Sequence, residues 1–385
     1  MDAVSGITRL VGALDRRGYR VLGPVVRDGA IRIGPVASAD DLPRGLRAEL
    51  GPGAARLRDA GDGALFAHAV GPDSWRAVFH PPRELQWRAG RDGKGFGVET
   101  GPVDDPAPLA LVGVRPCDLA AVGVQDRVLR DGSFPDPGYA GRRAGTVIVV
   151  AGCGTPAATC FCASMGTGPA LPAAGYDLGL VEILAGQHRL VVTAGSSLGE
   201  ELLNALPTRR ATDDDLAAAS TVADTARAAM GRRLDTEDVR DVLVRNPDHP
   251  RWDDVAARCL ACGNCTLVCP TCFCTTTEDG TSLDGSTAQR WRRWDSCFSL
   301  DFSYAAGGAV RSSVRSRYRQ WLTHKLATWW DQFGESGCVG CGRCIAWCPV
   351  GIDLTEEVAA IRDEATSAHA GVPVAVTPRT GGGGP

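Results

Sequence analysis

Fifteen cysteines in 385 residues, eleven of them between Trp252 and Leu354, constrain this chain more than any other feature. A secreted disulfide scaffold would be shorter, carry a leader and pair its cysteines evenly. The start, MDAVSGITRLVGALDRRGYR, has no apolar stretch followed by a small-residue cleavage site, and Arg16-Arg17 is not followed by the apolar run of a twin-arginine signal. Clustered thiols in a reducing, cytoplasmic setting are metal ligands before they are cystines. Hydrophobic residues make up 44% and charged residues 22%, so a folded globular chain is expected. No apolar stretch is long enough to span a bilayer, and a net charge of −4 without a basic tail argues against nucleic acid as a partner.

Two segments share one spacing. Cys259–Pro270 reads C-L-A-C-G-N-C-T-L-V-C-P and Cys338–Pro349 reads C-V-G-C-G-R-C-I-A-W-C-P. Both are C-x2-C-x2-C-x3-C-P, the bacterial ferredoxin spacing for a 4Fe–4S cluster. Three thiolates on a tight loop reach three irons of one cube, and Gly263 and Gly342 let the backbone approach the sulfides. The fourth Cys is expected to open a helix pointing away, with Pro270 and Pro349 in its first turn, and to serve the other cluster. That crossed pairing gives Cys259, Cys262, Cys265 and Cys348 to one cluster, and Cys338, Cys341, Cys344 and Cys269 to the second. Zinc knuckles use two C-x2-C pairs rather than four Cys in twelve residues with a trailing Pro. The 68 residues between Cys269 and Cys338 are a long insertion, expected to loop out so that the cluster loops stay side by side. Cys265, Cys269 and Cys272 also fit the C-x3-C-x2-C of radical S-adenosylmethionine enzymes. Those place the motif early in a βα barrel, so the match is coincidental.

A third set lies upstream. Leu109–Val114 and Thr146–Val150 are continuous apolar runs, as in strands buried on both faces, and Asp118–Leu129 between them has helical periodicity. Strand, helix, strand implies a parallel pair. Cys117 and Cys153 then leave the carboxyl edge of the sheet, where α/β folds bind ligands. With Cys160 and Cys162 on the Gly-rich loop that follows, they form a candidate site for a third 4Fe–4S cluster, against the alternative of buried structural thiols. Cys272, Cys274 and Cys297 stay unassigned between alternative ligands, a further cofactor and supporting thiols.

Residues 1–210 are thus expected to form an α/β domain with a partly parallel sheet, starting with a helix whose apolar face is Ile7, Leu10, Val11 and Leu14. Further strands are expected at Ile31–Ile33, Ala64–Val70 and Trp75–Phe79, and a hairpin at Tyr176–Leu184 with His188–Thr193. Residues 211–250 read as a helical connector opened by a Thr212–Asp215 capping box. Residues 251–360 read as an α+β or α-helical dicluster ferredoxin-like domain with the insertion at 271–337. The tail 361–385 is expected to be disordered from about residue 372.

The six His are scattered without metal spacing, and no G-x-G-x-x-G, P-loop or Ser–His–Asp arrangement exists, so no NAD or flavin site is expected here. A basic helix near Arg311–Trp330 reads as packed on its own domain, with a docking surface for an acidic partner as the alternative. Arg343, inside the second loop, is expected to raise the potential of the Cys338 cluster relative to Asn264 in the first. Only Lys94 and Lys325 are lysines among 41 basic residues, a skew given no functional weight.

The strings G-V-R-P-C-D-L-A-A-V, T-C-F-C-A-S-M-G-T-G-P, C-G-N-C-T-L-V-C-P-T-C-F-C, W-D-S-C and G-C-V-G-C-G-R-C-I-A-W-C-P-V-G-I-D together resemble one family from about residue 20 to 360. It comprises the iron–sulfur β subunit of cytosolic NADP-linked nickel–iron hydrogenases (sulfhydrogenases), with the A-type iron–sulfur subunit of anaerobic sulfite reductase. The resemblance implies a non-catalytic electron-transfer subunit. Its partners would be a flavoprotein subunit binding FAD and NAD(P)H and the nickel–iron hydrogenase subunits, or a sulfite or sulfur reductase subunit in the other branch. It also implies the eight ferredoxin cysteines as cluster ligands and matches Cys117, Cys153, Cys160 and Cys162. A catalytic thiol or cluster disulfide reductase using Cys272, Cys274 and Cys297 is the competing expectation.

Overall fold

The structure is a computed structural model and describes residues 1–91, 93, 95–100 and 108–370, the side chains of 364–370 excepted. The expected disorder from about residue 372 falls outside the described residues. Twelve strands matter here: β1 (Arg20–Arg27), β2 (Ala30–Pro35), β3 (Leu46–Gly51), β4 (Ala54–Asp59), β5 (Arg83–Arg91), β6 (Phe96–Thr100), β7 (Leu109–Val114), β8 (Val147–Ala151), β9 (Leu178–Ile183), β10 (Arg189–Ala194), β11 (Thr275–Thr281) and β12 (Thr287–Trp294).

The main sheet has the order β10-β9-β8-β7-β1-β2. Its inner ladders, β1 with β7, β7 with β8 and β8 with β9, are parallel, and the hairpins β1–β2 and β9–β10 close both edges antiparallel. The chain is therefore mixed α/β with a partly parallel sheet. Every residue of β7 and β8 is buried, and successive side chains go to opposite cores. Ala110, Val112, Val147, Val149 and Ala151 join the core under the helix Ala3–Asp15, while Leu109, Leu111, Val114, Ile148 and Val150 join the one under the helix Pro116–Leu129. A register shift between Val112 and Val114 falls at Gly113, whose φ of +82° suits glycine.

Two expected strands are not strands. Ala64–Val70 is buried but irregular, because the Arg115 guanidinium takes the carbonyls of Phe66 and His68 that a ladder would have used. Trp75–Phe79 contains the helical turn Arg76–Phe79. The hairpin β9–β10 and the Thr212–Asp215 capping box, which opens the helix Asp213–Ala228, are as expected.

The insertion does not loop out. Its hairpin β11–β12 pairs with β5 to give a second sheet of order β11-β12-β5-β6, joining residues 275–294 to the first part of the chain. Arg292 of β12 bridges the carboxylates of Glu84 and Asp136, and Arg142 holds the other Glu84 oxygen at 2.6 Å. Beyond the hairpin, the helix Val314–Thr323, a π-helical turn His324–Thr328 and the helix Trp329–Phe333 form one rod. It buries Tyr318, Trp321, Leu322 and Leu326 against Trp252, Val255 and Leu243, while Trp329 joins a separate core with Ala121 and Val124 of the helix after β7. No helix among the described residues is long and apolar enough to cross a membrane.

Candidate iron–sulfur centres

The two Cys-rich loops have the same backbone. Gly263 and Gly342 sit at φ +74° and +75°, and each opens a short helix, Asn264–Leu267 or Arg343–Ala346. Two residues after the first Cys, Ala261 (φ +50°) and Gly340 (φ +64°) turn their amides back. They donate to Cys259 Sγ at 3.4 Å and Cys338 Sγ at 3.5 Å. Left-handed backbone costs an alanine roughly 1 kcal/mol, so Ala261 holds a strained conformation that presents an N–H to sulfur. Asn264 Nδ2 donates to the Trp347 carbonyl and ties the first loop to the second.

The fourth cysteines depart from expectation. Each short helix ends before its fourth Cys: Pro349 lies in a turn before the helix Leu354–Ala370, and Pro270 leads into extended chain toward β11. The buried Arg76 accounts for the latter. It donates to the carbonyls of Thr266 (3.1 Å), Leu267 (2.8 Å) and Cys272 (2.7 Å), holding the chain straight where a helix would have continued.

Cys259, Cys262, Cys265 and Cys348 line one largely apolar cavity with Phe298, Tyr318 and Ile352, and Cys344 of the second loop reaches it too. Burial pushes the Cys265 thiol well up, and Cys259, Cys348 and Cys262 reinforce the shift. Ile352 N donates to Cys348 Sγ at 3.4 Å. In the second loop burial pushes Cys338 up to about 12 and Cys341 up to about 11, and Cys344 feels Cys338, Cys341 and Cys269. Thus the thiols of the crossed sets are mutual neighbours. Thiols buried this deeply carry charge only beside a cation, and iron supplies that. Among the described residues no three His, Cys, Asp or Glu side chains converge on a point as a single metal ion requires. Donors of this kind, soft and set around a space, fit a cluster.

The upstream cysteines also assemble. Cys117 lies in the first turn of the helix after β7, Cys153 lies two residues beyond β8, and Cys160 and Cys162 are on the following loop. A hydrogen bond that Cys117 donates to Cys162, followed by burial, pushes Cys117 well up, and Cys160 feels Cys153 and Cys117. This group touches the second ferredoxin loop directly. Phe161 N donates to the Gly340 carbonyl at 2.9 Å and Thr167 Oγ1 to the Val339 carbonyl at 2.7 Å. A Cβ on Gly340 would sit 2.7 Å from Cys162 backbone, and one on Gly342 2.3 Å from the Thr159 carbonyl oxygen. Those glycines serve the contact between two thiol groups as well as the turn.

Residues 258–352 match the 4Fe-4S dicluster domain family. Over 347 residues, 89% of this chain and 92% of the relative, the sequence is 30% identical to the protein named sulfhydrogenase 2 subunit beta from Pyrococcus furiosus. The chain belongs to the sulfhydrogenase beta-subunit family. No solved structure matches it. As a sulfhydrogenase-beta-type chain it carries 4Fe–4S chemistry in its C-terminal domain.

Two charged side chains lie against the second thiol set, and the Arg343 charge reaches Cys341. Arg343 is buried and bidentate to Asp118 (2.7 and 3.1 Å), and it also donates to the carbonyls of Gly71 and Asp73. Its charge is matched by a carboxylate of the first domain, so it clamps the loop to the sheet edge. Lys325, on the π-helical turn, is a second buried cation beside this set. Its Nζ lies 3.2 Å from Cys269 Sγ and 3.2 Å from Thr271 Oγ1, fully inside the protein. Burial opposes its charge, but Cys269, Cys272, Cys338 and Cys344 outweigh that and hold the ammonium well above its usual value. The signal for Lys325 was present in the sequence. A chain with two lysines among 41 basic residues places one of them there, and a compact ammonium suits one sulfur where a guanidinium fork does not fit.

Proposed function

We propose that this chain is a relay subunit of a sulfhydrogenase-type complex, passing single electrons between a flavoprotein subunit that binds FAD and NAD(P)H and a nickel–iron hydrogenase module in the cytoplasm. In this reading Cys259, Cys262, Cys265 and Cys348 hold one 4Fe–4S cluster, Cys338, Cys341, Cys344 and Cys269 a second, and Cys117, Cys153, Cys160 and Cys162 a third. When bound, such clusters accept and release one electron at a time. The observation carrying the proposal is the continuity of the thiol groups. Cys265 of the first set is within electrostatic reach of Cys269 in the second, and Cys341 of the second is within reach of Cys117 in the third.

The chain's own residues give that path its shape. Ala261, Gly340 and Ile352 direct N–H groups at cluster sulfurs, which favours the reduced, more negative state. Phe298, Tyr318 and Trp321 give the first set an apolar inner wall, while Cys262 stays exposed on its outer side. Lys325 neutralises part of the second. The finer domain description, an α/β domain over 1–210, a helical connector over 211–250 and a dicluster domain over 251–360, belongs to the same proposal.

Oxygen-free purification with iron and acid-labile sulfide quantitation tests it. Cys117→Ser combined with Cys160→Ser is expected to remove about four irons and about four sulfides while the other clusters keep their electron paramagnetic resonance signals. A colourless preparation without labile sulfide refutes the relay.

A further inference from the structure

The tetrapeptide Thr-Cys-Phe-Cys occurs twice, at Thr159–Cys162 and at Thr271–Cys274. In the first copy the two cysteines meet Cys117 and Cys153 at the sheet edge. In the second, Cys274 meets Cys297 while Cys272 lies beside Cys269 and shares the same cavity with them. The hairpin β11–β12 makes that encounter, since Thr275 pairs with Trp294 and Asp295 N donates to the Cys274 carbonyl at 2.9 Å, which leaves Cys297 beside Cys274. Cys274 and Cys297 are electrostatic neighbours, and so are Cys269 and Cys272.

Cys272, Cys274 and Cys297 line an open cavity, together with Thr271, His324 and Lys325. Both threonines of the repeated tetrapeptide are buried, Thr159 at 0% and Thr271 at 3% exposure. Two buried cations flank this second copy. Lys325 is one. Arg76 is the other, and its charge is felt by Cys272, Cys269 and Cys274 while its hydrogen bonds go to backbone carbonyls. Buried positive charge without a matching carboxylate calls for an anion nearby. Protonated thiols do not supply one, and thiolates bound to an iron–sulfur core do. Counting thiols sharpens this. The crossed ferredoxin sets use eight cysteines and the upstream set four, so these three complete the fifteen.

We propose that Cys272, Cys274 and Cys297 hold a fourth iron–sulfur centre, a 4Fe–4S cluster with three protein thiolates whose remaining iron faces the cavity beside Lys325 and His324. That iron has no cysteine available to it and takes an exogenous ligand, a small anion or solvent. The centre is proposed as a cluster because its donors are soft thiolates set around a cavity. It rests on the reading that the other twelve cysteines serve three clusters, and it goes beyond that reading by giving the complex a site where an outside ligand meets the relay.

The test uses the full chain purified without oxygen. The Cys272→Ser, Cys274→Ser, Cys297→Ser triple variant is expected to carry about four irons and about four sulfides fewer than the unaltered protein, with the other resonance signals kept. Equal iron and sulfide in the two proteins overturns the proposal. A total near twelve in the unaltered protein that falls to about eight in the triple variant, while Cys117→Ser with Cys160→Ser removes nothing, retains this centre and discards the upstream one. Should the triple variant lose every cluster, iodoacetamide footprinting of the unaltered, loaded protein decides. The three thiols are compared in loaded protein and in the same protein stripped of iron, since burial alone keeps Cys272 and Cys297 protonated and slow to react; alkylation that rises only on stripping supports the centre, and equal alkylation before and after stripping overturns the proposal.

Discussion

Replacing Lys325 with methionine removes one buried positive charge from beside the Cys338, Cys341, Cys344 and Cys269 set and leaves the packing volume nearly unchanged. Lys325 Nζ lies 3.2 Å from Cys269 Sγ, and an electron added to a cluster spreads over the whole core, so the effective separation is larger than the hydrogen bond. A unit charge ~5 Å from that electron, at an effective dielectric constant of ~20, contributes ~3 kcal/mol by Coulomb's law. For a one-electron couple this corresponds to ~140 mV. Relaxation of the surroundings lowers the figure, and a fall of ~50 to ~140 mV in the potential of one cluster is expected, since losing a cation makes reduction harder. Lys325→Gln keeps a donor for Cys269 without the charge, and its smaller shift separates hydrogen bonding from Coulomb attraction. The assay is a redox titration followed by electron paramagnetic resonance, with iron counted in each sample. If Lys325→Met keeps its full iron and every potential stays within ~20 mV of the unaltered protein, the charge argument is wrong.

Three further outcomes are expected. Arg343→Met leaves Asp118 buried without its partner, so it should cost about 3–5 kcal/mol in denaturant unfolding, whereas the Arg343→Met, Asp118→Leu pair should cost far less; equal losses would argue against a clamp. Gly342→Ala drives a Cβ against the Thr159 carbonyl, while Gly263→Ala meets only Ser296 at 3.0 Å, so Gly342→Ala should lower the melting temperature much more and release iron from the upstream cysteines. Burial, then the Arg115 charge, hold His68 down at about 3, so it stays neutral in the fold at pH values where the unfolded chain takes up a proton. Stability is then lost as pH falls below about 6.5, by about 2 kcal/mol at pH 5 from this residue, and His68→Gln should flatten that slope in pH-dependent unfolding.

What could be read from the sequence was local or periodic. The two ferredoxin loops declare themselves by spacing within twelve residues, and β7 and β8 by unbroken apolar runs, since a strand buried on both faces admits no polar position. The parallel pairing, and with it the placing of Cys117 and Cys153 at one edge, followed from the intervening helical period. The failures were non-local. Nothing in Ala64–Val70 announces that a guanidinium from residue 115 will take its carbonyls, and nothing near Pro270 announces Arg76. The pairing of β12 with β5 spans about two hundred residues, and no local pattern in either segment specifies it. Arg343 looked like a free cation because Asp118, 225 positions earlier, has no signature of its own.

The pairing of β12 with β5 explains why a long insertion is tolerated between the halves of a dicluster motif. Closing a loop of 68 residues adds little entropy cost beyond closing one of about thirty, because the penalty grows only with the logarithm of length. Position is the harder problem, because Cys269 must remain beside Cys338 while the chain leaves for β11 and returns. Arg76 fixes the departure through three carbonyls, the Trp294 amide donates to the Pro82 carbonyl at 2.8 Å on the return, and Gly337 N donates to the Lys325 carbonyl at 2.9 Å just before Cys338. The same backbone bond holds Lys325, whose ammonium then reaches Cys269. The insertion therefore positions the second thiol set from both ends and supplies its counter-charge, and shortening it to the length of a small ferredoxin would remove both.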